Sequence, residues 1–122
     1  MDNSMNESLQ NQLRQIQQFE VQLEETAAQK YQLEVKIREV EKTIKEMESL
    51  KDDSPLYKMV GNIMYKVDDR NKLLEELKEQ KELSQIRIKT LERQQKTLED
   101  KLTELDQSMK KSYEEMRKRS PQ

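Results

Sequence analysis

The sequence predicts a mainly α-helical fold: two long helices packed as one antiparallel intramolecular coiled coil, joined by a single β-hairpin whose sheet other chains complete. Three observations carry this. Apolar residues recur at alternating spacings of three and four over both halves of the chain. The composition is 39% charged and 32% apolar, rich in Glu, Lys, Leu, Gln and Arg, which marks long helices rather than a thick core. The only glycine, Gly61, precedes Asn62 between two short apolar runs, and such a pair forms a tight hairpin turn. The whole chain, 1–122, reads as one domain, with helix 1 over about 5–50, the hairpin over 56–67 and helix 2 over about 69–118.

Helix 1 begins at Ser4-Met5-Asn6-Glu7, which fits a capping box with Ser4 as N-cap. With Leu9 at position a, the a set is Leu9, Ile16, Leu23, Lys30, Ile37 and Ile44. The d set is then Met5, Gln12, Phe19, Thr26, Leu33, Val40 and Met47. Ten of these thirteen seam positions are apolar, and a repeat sustained this long argues for a coiled coil over disorder. The start of this helix is rich in glutamine (Gln10, Gln12, Gln15, Gln17, Gln18, Gln22), which reads as a weakly charged solvated face.

The hairpin comes next. Its strands, Leu56 to Val60 and Ile63 to Val67, pair across Gly61-Asn62, where one or both central residues need a positive φ. Residues that pair share a face, so Leu56, Lys58, Val60, Ile63, Tyr65 and Val67 lie on one side. Tyr57, Met59, Met64 and Lys66 lie on the other. Both faces are apolar enough for burial in a barrel or sandwich, and a lone two-stranded ribbon is barely stable in water. The chain therefore reads as a subunit, with Leu56, Tyr57, Met59, Val60, Ile63, Met64, Tyr65 and Val67 as assembly residues. The competing arrangement is a ribbon folded back on its own coiled coil. The acidic pairs Asp52-Asp53 and Asp68-Asp69 that flank it read as turn and cap residues rather than a cation site.

Helix 2, with Leu74 at a, carries Leu74, Lys81, Ile88, Gln95, Leu102, Met109 and Met116 at a. Leu77, Ser84, Leu91, Leu98, Leu105 and Ser112 occupy d, so nine of thirteen are apolar. Asp68 or Asp69 caps its start, Lys118 and Arg119 suit its end, and Pro121 follows. If facing residues have numbers that sum to 121, a meets d in every layer, and Met5 meets Met116. A slip of one heptad, to 114, pairs apolar residues nearly as well, but 121 lies nearer the sum of the ribbon's own Val60–Ile63 pair. Each helix then runs about 60–75 Å, and the pair makes a thin arm with the hairpin at its base.

The chemistry that the sequence excludes is broad. There is no Cys and no His, hence no disulfide, no transition-metal set and no nucleophile–base pair, and no glycine-rich phosphate loop. We expect neither an enzyme nor a cofactor. The net charge of −2 invites neither nucleic acid nor an anionic membrane, and Glu114 and Glu115 interrupt the basic run from Lys110 to Arg119. No signal peptide opens the sequence and no apolar run approaches a membrane span, so the expected compartment is the cytoplasm.

Helix, single hairpin, helix with these local sequences resembles the β-class subunits of the prefoldin family. The resemblance is carried by Tyr57-Lys58-Met59-Val60-Gly61-Asn62-Ile63-Met64-Tyr65-Lys66, by Lys89-Thr90-Leu91-Glu92-Arg93-Gln94, and by Asn11-Gln12-Leu13 with Gln17-Gln18. One hairpin points to the β class, since the α class carries two. The resemblance implies an ATP-independent chaperone in which two α-class and four β-class subunits pool their strands into joined β-barrels. Six arms would hold non-native proteins between their tips and pass them to a group II chaperonin. From position, the tip candidates are Met5, Leu9, Leu13, Ile16, Met109, Tyr113 and Met116, with Met1 nearby. A coiled-coil scaffold that dimerises partners without binding clients is the alternative.

Overall fold

The computed structural model describes residues 2–119; Met1 and Pro121 lie outside the described residues. The element order is α1 (Asp2–Ser49), β1 (Tyr57–Val60), β2 (Ile63–Lys66) and α2 (Arg70–Arg119). The chain divides into two compact units, one of Met1–Lys30 with Thr90–Gln122 and one of Tyr31–Lys89.

The heptad phase read from the sequence is the one that folds. All twenty-six seam positions of α1 and α2 are buried or half-buried. Outside the seam, only Glu34, Val35, Arg70, Leu73 and Thr90 are half-buried among the described helical residues. Each helix thus buries one stripe and leaves the rest to water, as a narrow a/d seam requires. The most buried apolar residues, Ile16, Val40, Met47, Leu91 and Leu98, all belong to it. Thr26 is the polar member that sinks deepest in α1, and its hydroxyl donates to the Gln22 carbonyl at 2.7 Å, so its burial leaves no unpaired donor.

Contacts between the helices decide the register. In the first unit, Gln12 Nε2 donates to Ser108 Oγ at 3.0 Å and Lys30 reaches Glu92 at 3.4 Å. The Lys101 ammonium lies 5.6 Å from the centre of the Phe19 ring. In the second unit, Lys81 reaches Glu41 at 3.3 Å. These pairs have residue numbers that sum to 120 or 122, which matches a sum of 121 and excludes the slip to 114. They also explain two lysines in an apolar seam. Each lays its methylene stem along the seam while its ammonium meets a glutamate of the opposite helix.

One expectation about helix ends fails and one is resolved. Ser4 is not an N-cap, because α1 is already helical from Asp2 and Ser4 sits within its first turns. Asp2 and Asn3 contain no breaker, so nothing stops the helix from extending to them. Of the two candidates before α2, Asp69 is the cap: its carboxylate accepts the Lys72 N–H at 3.0 Å, and its carbonyl accepts the Leu73 N–H at 3.2 Å. At the other acidic pair, the Ser54 N–H donates to the Lys51 carbonyl at 3.0 Å, closing a turn around Asp52-Asp53.

Arg70, which sequence patterning does not single out, completes this region. Its guanidinium donates to the carbonyls of Lys51 (2.9 Å), Leu50 (3.4 Å) and Met47 at the C-terminal end of α1. The last turn of α1 has no basic residue of its own, so Arg70 supplies the positive charge favoured there, reaches the Leu50 carbonyl, and adds a second donor to the Met47 and Lys51 carbonyls that the Leu50 and Ser54 N–H groups also reach. Arg70→Ala should lower stability by about 1.5–3 kcal/mol in urea unfolding followed by circular dichroism. Arg70→Lys should recover only part of this, because an ammonium gathers its donors on one nitrogen where the guanidinium reaches the carbonyls from two.

Candidate functional site

Two places present apolar surface that the fold does not bury. The first is the ribbon in the second unit. β1 and β2 pair antiparallel in the register Tyr57↔Lys66, Lys58↔Tyr65, Met59↔Met64 and Val60↔Ile63. The Val67 N–H donates to the Leu56 carbonyl at 2.8 Å and extends the ladder by one pair at its open end. Gly61 has φ of +59° and no other described residue has a positive φ, which is the pattern of a two-residue turn with glycine at the first central position.

The ribbon is a sheet of two strands only, and every residue of both strands is exposed. Exposure reaches 68% at Ile63 and 62% at Met59. Leu56 and Val67, at the open end, are half-buried. The alternative in which the ribbon folds back on its own helices is therefore overturned, since neither face is covered. Each face carries one cross-strand Tyr–Lys pair, Lys58 with Tyr65 and Tyr57 with Lys66. Lysines on an open ribbon discourage indiscriminate edge pairing. All eight assembly candidates are thus brought together on one ribbon.

The second place is formed by the free helix ends in the first unit. Met5, Leu9, Met109 and Met116 are half-buried seam residues, while Leu13 and Tyr113 stand off the seam, 45% and 64% exposed. Ile16 differs from the other candidates because it sits at position a and is 9% exposed. Its side chain fills the seam. Gln12 lies half-buried among these residues, and its Oε1 is buried without a hydrogen-bond partner. Turning the amide over would only exchange which of its ends lacks a partner, because Ser108 offers a single hydroxyl. This polar interruption weakens the seam next to the ends.

A further shallow groove runs beside Thr26, lined by Gln22, Gln29, Gln94 and Leu98, where small and polar residues leave the helices incompletely packed. Among the described residues, no three His, Cys, Asp or Glu side chains gather as a metal site. No described helix is long and apolar enough to cross a membrane.

The comparison with known proteins now decides the family. The prefoldin subunit family matches residues 10–116, which takes in both helices and the ribbon. The chain belongs to the prefoldin family. It is 47% identical over 111 residues to the prefoldin subunit beta of Thermoplasma volcanium, a match covering 91% of this chain and 90% of the relative. With the prefoldin subunit beta of Archaeoglobus fulgidus it shares 38% over 101 residues, covering 83% and 86%. The crystal structure of the prefoldin beta subunit from Thermococcus strain KS-1 aligns with a TM-score of 0.77 at 34% identity, over 93% of this chain and 95% of that one. The single ribbon and these relatives agree on the β class within this chaperone family, whose subunits form oligomers with other prefoldin subunits.

Gln12→Leu removes a buried, partly unpaired amide and leaves Ser108, which is exposed, to water. It should stabilise the isolated chain by roughly 1 kcal/mol, seen as a higher midpoint of thermal unfolding. A lower midpoint would mean that the amide contributes more than its one bond to Ser108.

Proposed function

We propose that this chain is a β-class subunit of a non-enzymatic, ATP-independent chaperone assembled from two α-class and four β-class subunits. Its ribbon joins those of the other subunits in closed β-barrels. Its free helix ends, with those of the other subunits, hold non-native proteins and pass them to a group II chaperonin. The reading places the chain in the cytoplasm, where a protein without cysteine is indifferent to reducing conditions.

The observation that carries the reading is the ribbon, exposed on both faces and unpaired at both edges. A coiled-coil scaffold has no use for such a surface, whereas joined barrels shared between subunits pair both edges, turn one face into a common interior and give the other a neighbouring barrel to pack against. The helix ends support the second half of the reading. Methionine is flexible and polarisable and adapts to varied partners, as binding of many unfolded sequences demands.

Two experiments test the two halves separately. Val60→Asp with Ile63→Asp places carboxylates on one face of the ribbon, each unfavourable by several kcal/mol if buried without a partner. The double variant should stay helical but fail to enter a complex with an α-class subunit in native mass measurements. Entry into the full complex would refute the buried ribbon. For capture, Met5, Leu9, Met109 and Met116 changed together to Ser should leave the complex intact while impairing suppression of aggregation of a denatured test protein. Protection equal to the parent's would move the client surface elsewhere on the chain.

A further inference from the structure

We infer that the Met59–Met64 pair is a modification site, at which oxidation of the thioethers to sulfoxides bars the free subunit from assembly. The inference rests on the proposed role of the ribbon and adds a chemical control to it. Met59 and Met64 are direct partners across the ribbon. Val60 and Ile63 flank the two-residue turn as a hydrogen-bonded pair, and pairs alternate along an antiparallel ladder. The 2.8 Å bond from Val67 to Leu56 falls on the same alternation. Met59 and Met64 are therefore a non-hydrogen-bonded pair, the kind whose side chains approach most closely. The two thioethers stand together on the face that they share with Tyr57 and Lys66.

Exposure sets them apart from the other described methionines. Met59 and Met64 are 62% and 61% exposed, whereas Met47 is 5% exposed and Met5, Met109 and Met116 are half-buried in the seam. A peroxide in water reaches the ribbon pair first. The sulfur lone pair attacks one peroxide oxygen, the O–O bond breaks, and the other oxygen leaves as water once it has gathered both protons. Sulfur is oxidised by two electrons and the peroxide is reduced by two, so that one thioether and one hydrogen peroxide give one sulfoxide and one water. The product is polar and chiral where the thioether was apolar, and sulfoxide reductases reverse it. A partner that covers this face must then strip water from two sulfoxide oxygens that the apolar interface does not match. Once assembled, the same face is shielded, so the control acts on free subunits and spares finished complexes.

The test uses the full chain without substitution. The isolated protein is treated with hydrogen peroxide to partial conversion and mixed with an α-class subunit. Assembled and unassembled fractions are then separated, and sulfoxide at each methionine is measured by peptide mass spectrometry. Met59 and Met64 should oxidise several-fold faster than Met5, Met47, Met109 and Met116. Their sulfoxides should be enriched roughly tenfold or more in the unassembled fraction, while those at Met5, Met109 and Met116 divide evenly. Treatment of the unassembled fraction with sulfoxide reductases should return it to assembly. Even division of the Met59 and Met64 sulfoxides overturns the inference, as does a fraction that stays unassembled after reduction. The Val60→Asp, Ile63→Asp variant separates the two levels. If it is excluded from the complex while Met59 and Met64 sulfoxides enter, only this inference fails; if it also enters, the ribbon's role fails with it.

Discussion

A two-stranded ribbon has no inside. Each strand gives half its hydrogen-bonding groups to its partner and turns the other half outward, and neither face has a layer to rest on. Here the chain places its most concentrated apolar and aromatic sequence on such a ribbon, and two consecutive residues fasten the helix ends beside it. Asp69 accepts from the first turn of α2, and Arg70 donates to the Met47 carbonyl in the last turn of α1 and to the Leu50 and Lys51 carbonyls just beyond it. An acid meets a helix N-terminus and a base meets a helix C-terminus, each matching the sign of the local dipole. The helix ends beside the ribbon are thus tied to one another, while the ribbon itself stays exposed on both faces.

The helices obey a related economy. A chain with 32% apolar residues can fill a single seam, and every seam position is used. Such a seam is nearly indifferent to a shift of seven residues, since a heptad repeat looks the same after one period. Polar residues remove the ambiguity. A slip of one heptad would carry each seam lysine about 10 Å from its glutamate, given a 1.5 Å rise per residue. Exposed ion pairs contribute little individually. Both lysine pairs, the Gln12–Ser108 bond and the Arg70 contacts nevertheless favour one register, so their effects add in the same direction.

Much of this is legible in the sequence because it is periodic or local. The spacing of Leu9, Ile16 and Leu23 fixes which face of α1 is buried, and Gly61-Asn62 fixes the ribbon's pairing. What escapes is non-local or degenerate. Arg70 acts on carbonyls 19 to 23 residues away, and no short motif announces such a contact. Ser4 has the residue type of a cap, but a cap also needs a chain that stops being helical before it, and Asp2-Asn3 does not stop. The client candidates show a subtler loss. Nearness to the chain end groups Ile16 with Leu13, yet the heptad phase separates them, with Ile16 at a and Leu13 at e. Tyr113 also falls at e, and it is exposed for the same reason. Phase is the better guide to accessibility than position along the chain.

The two open surfaces lie in different compact units, and the proposed function requires both. The helix ends offer a few half-buried side chains and two exposed ones, which is a small apolar area against any unfolded segment. A contact of that size is weak; a dissociation constant near 1 mM corresponds to only about 4 kcal/mol. Linked contacts gain roughly 10²- to 10⁴-fold in avidity when their spacing lets them act at once, which carries millimolar binding into the micromolar range or beyond. One pair of helix ends cannot supply that gain, but several held on a common base can. The ribbon's incompleteness is therefore a condition of capture on this reading. A chain that closed its own sheet would be more stable alone and would lose the means of gathering its weak contacts into a useful one.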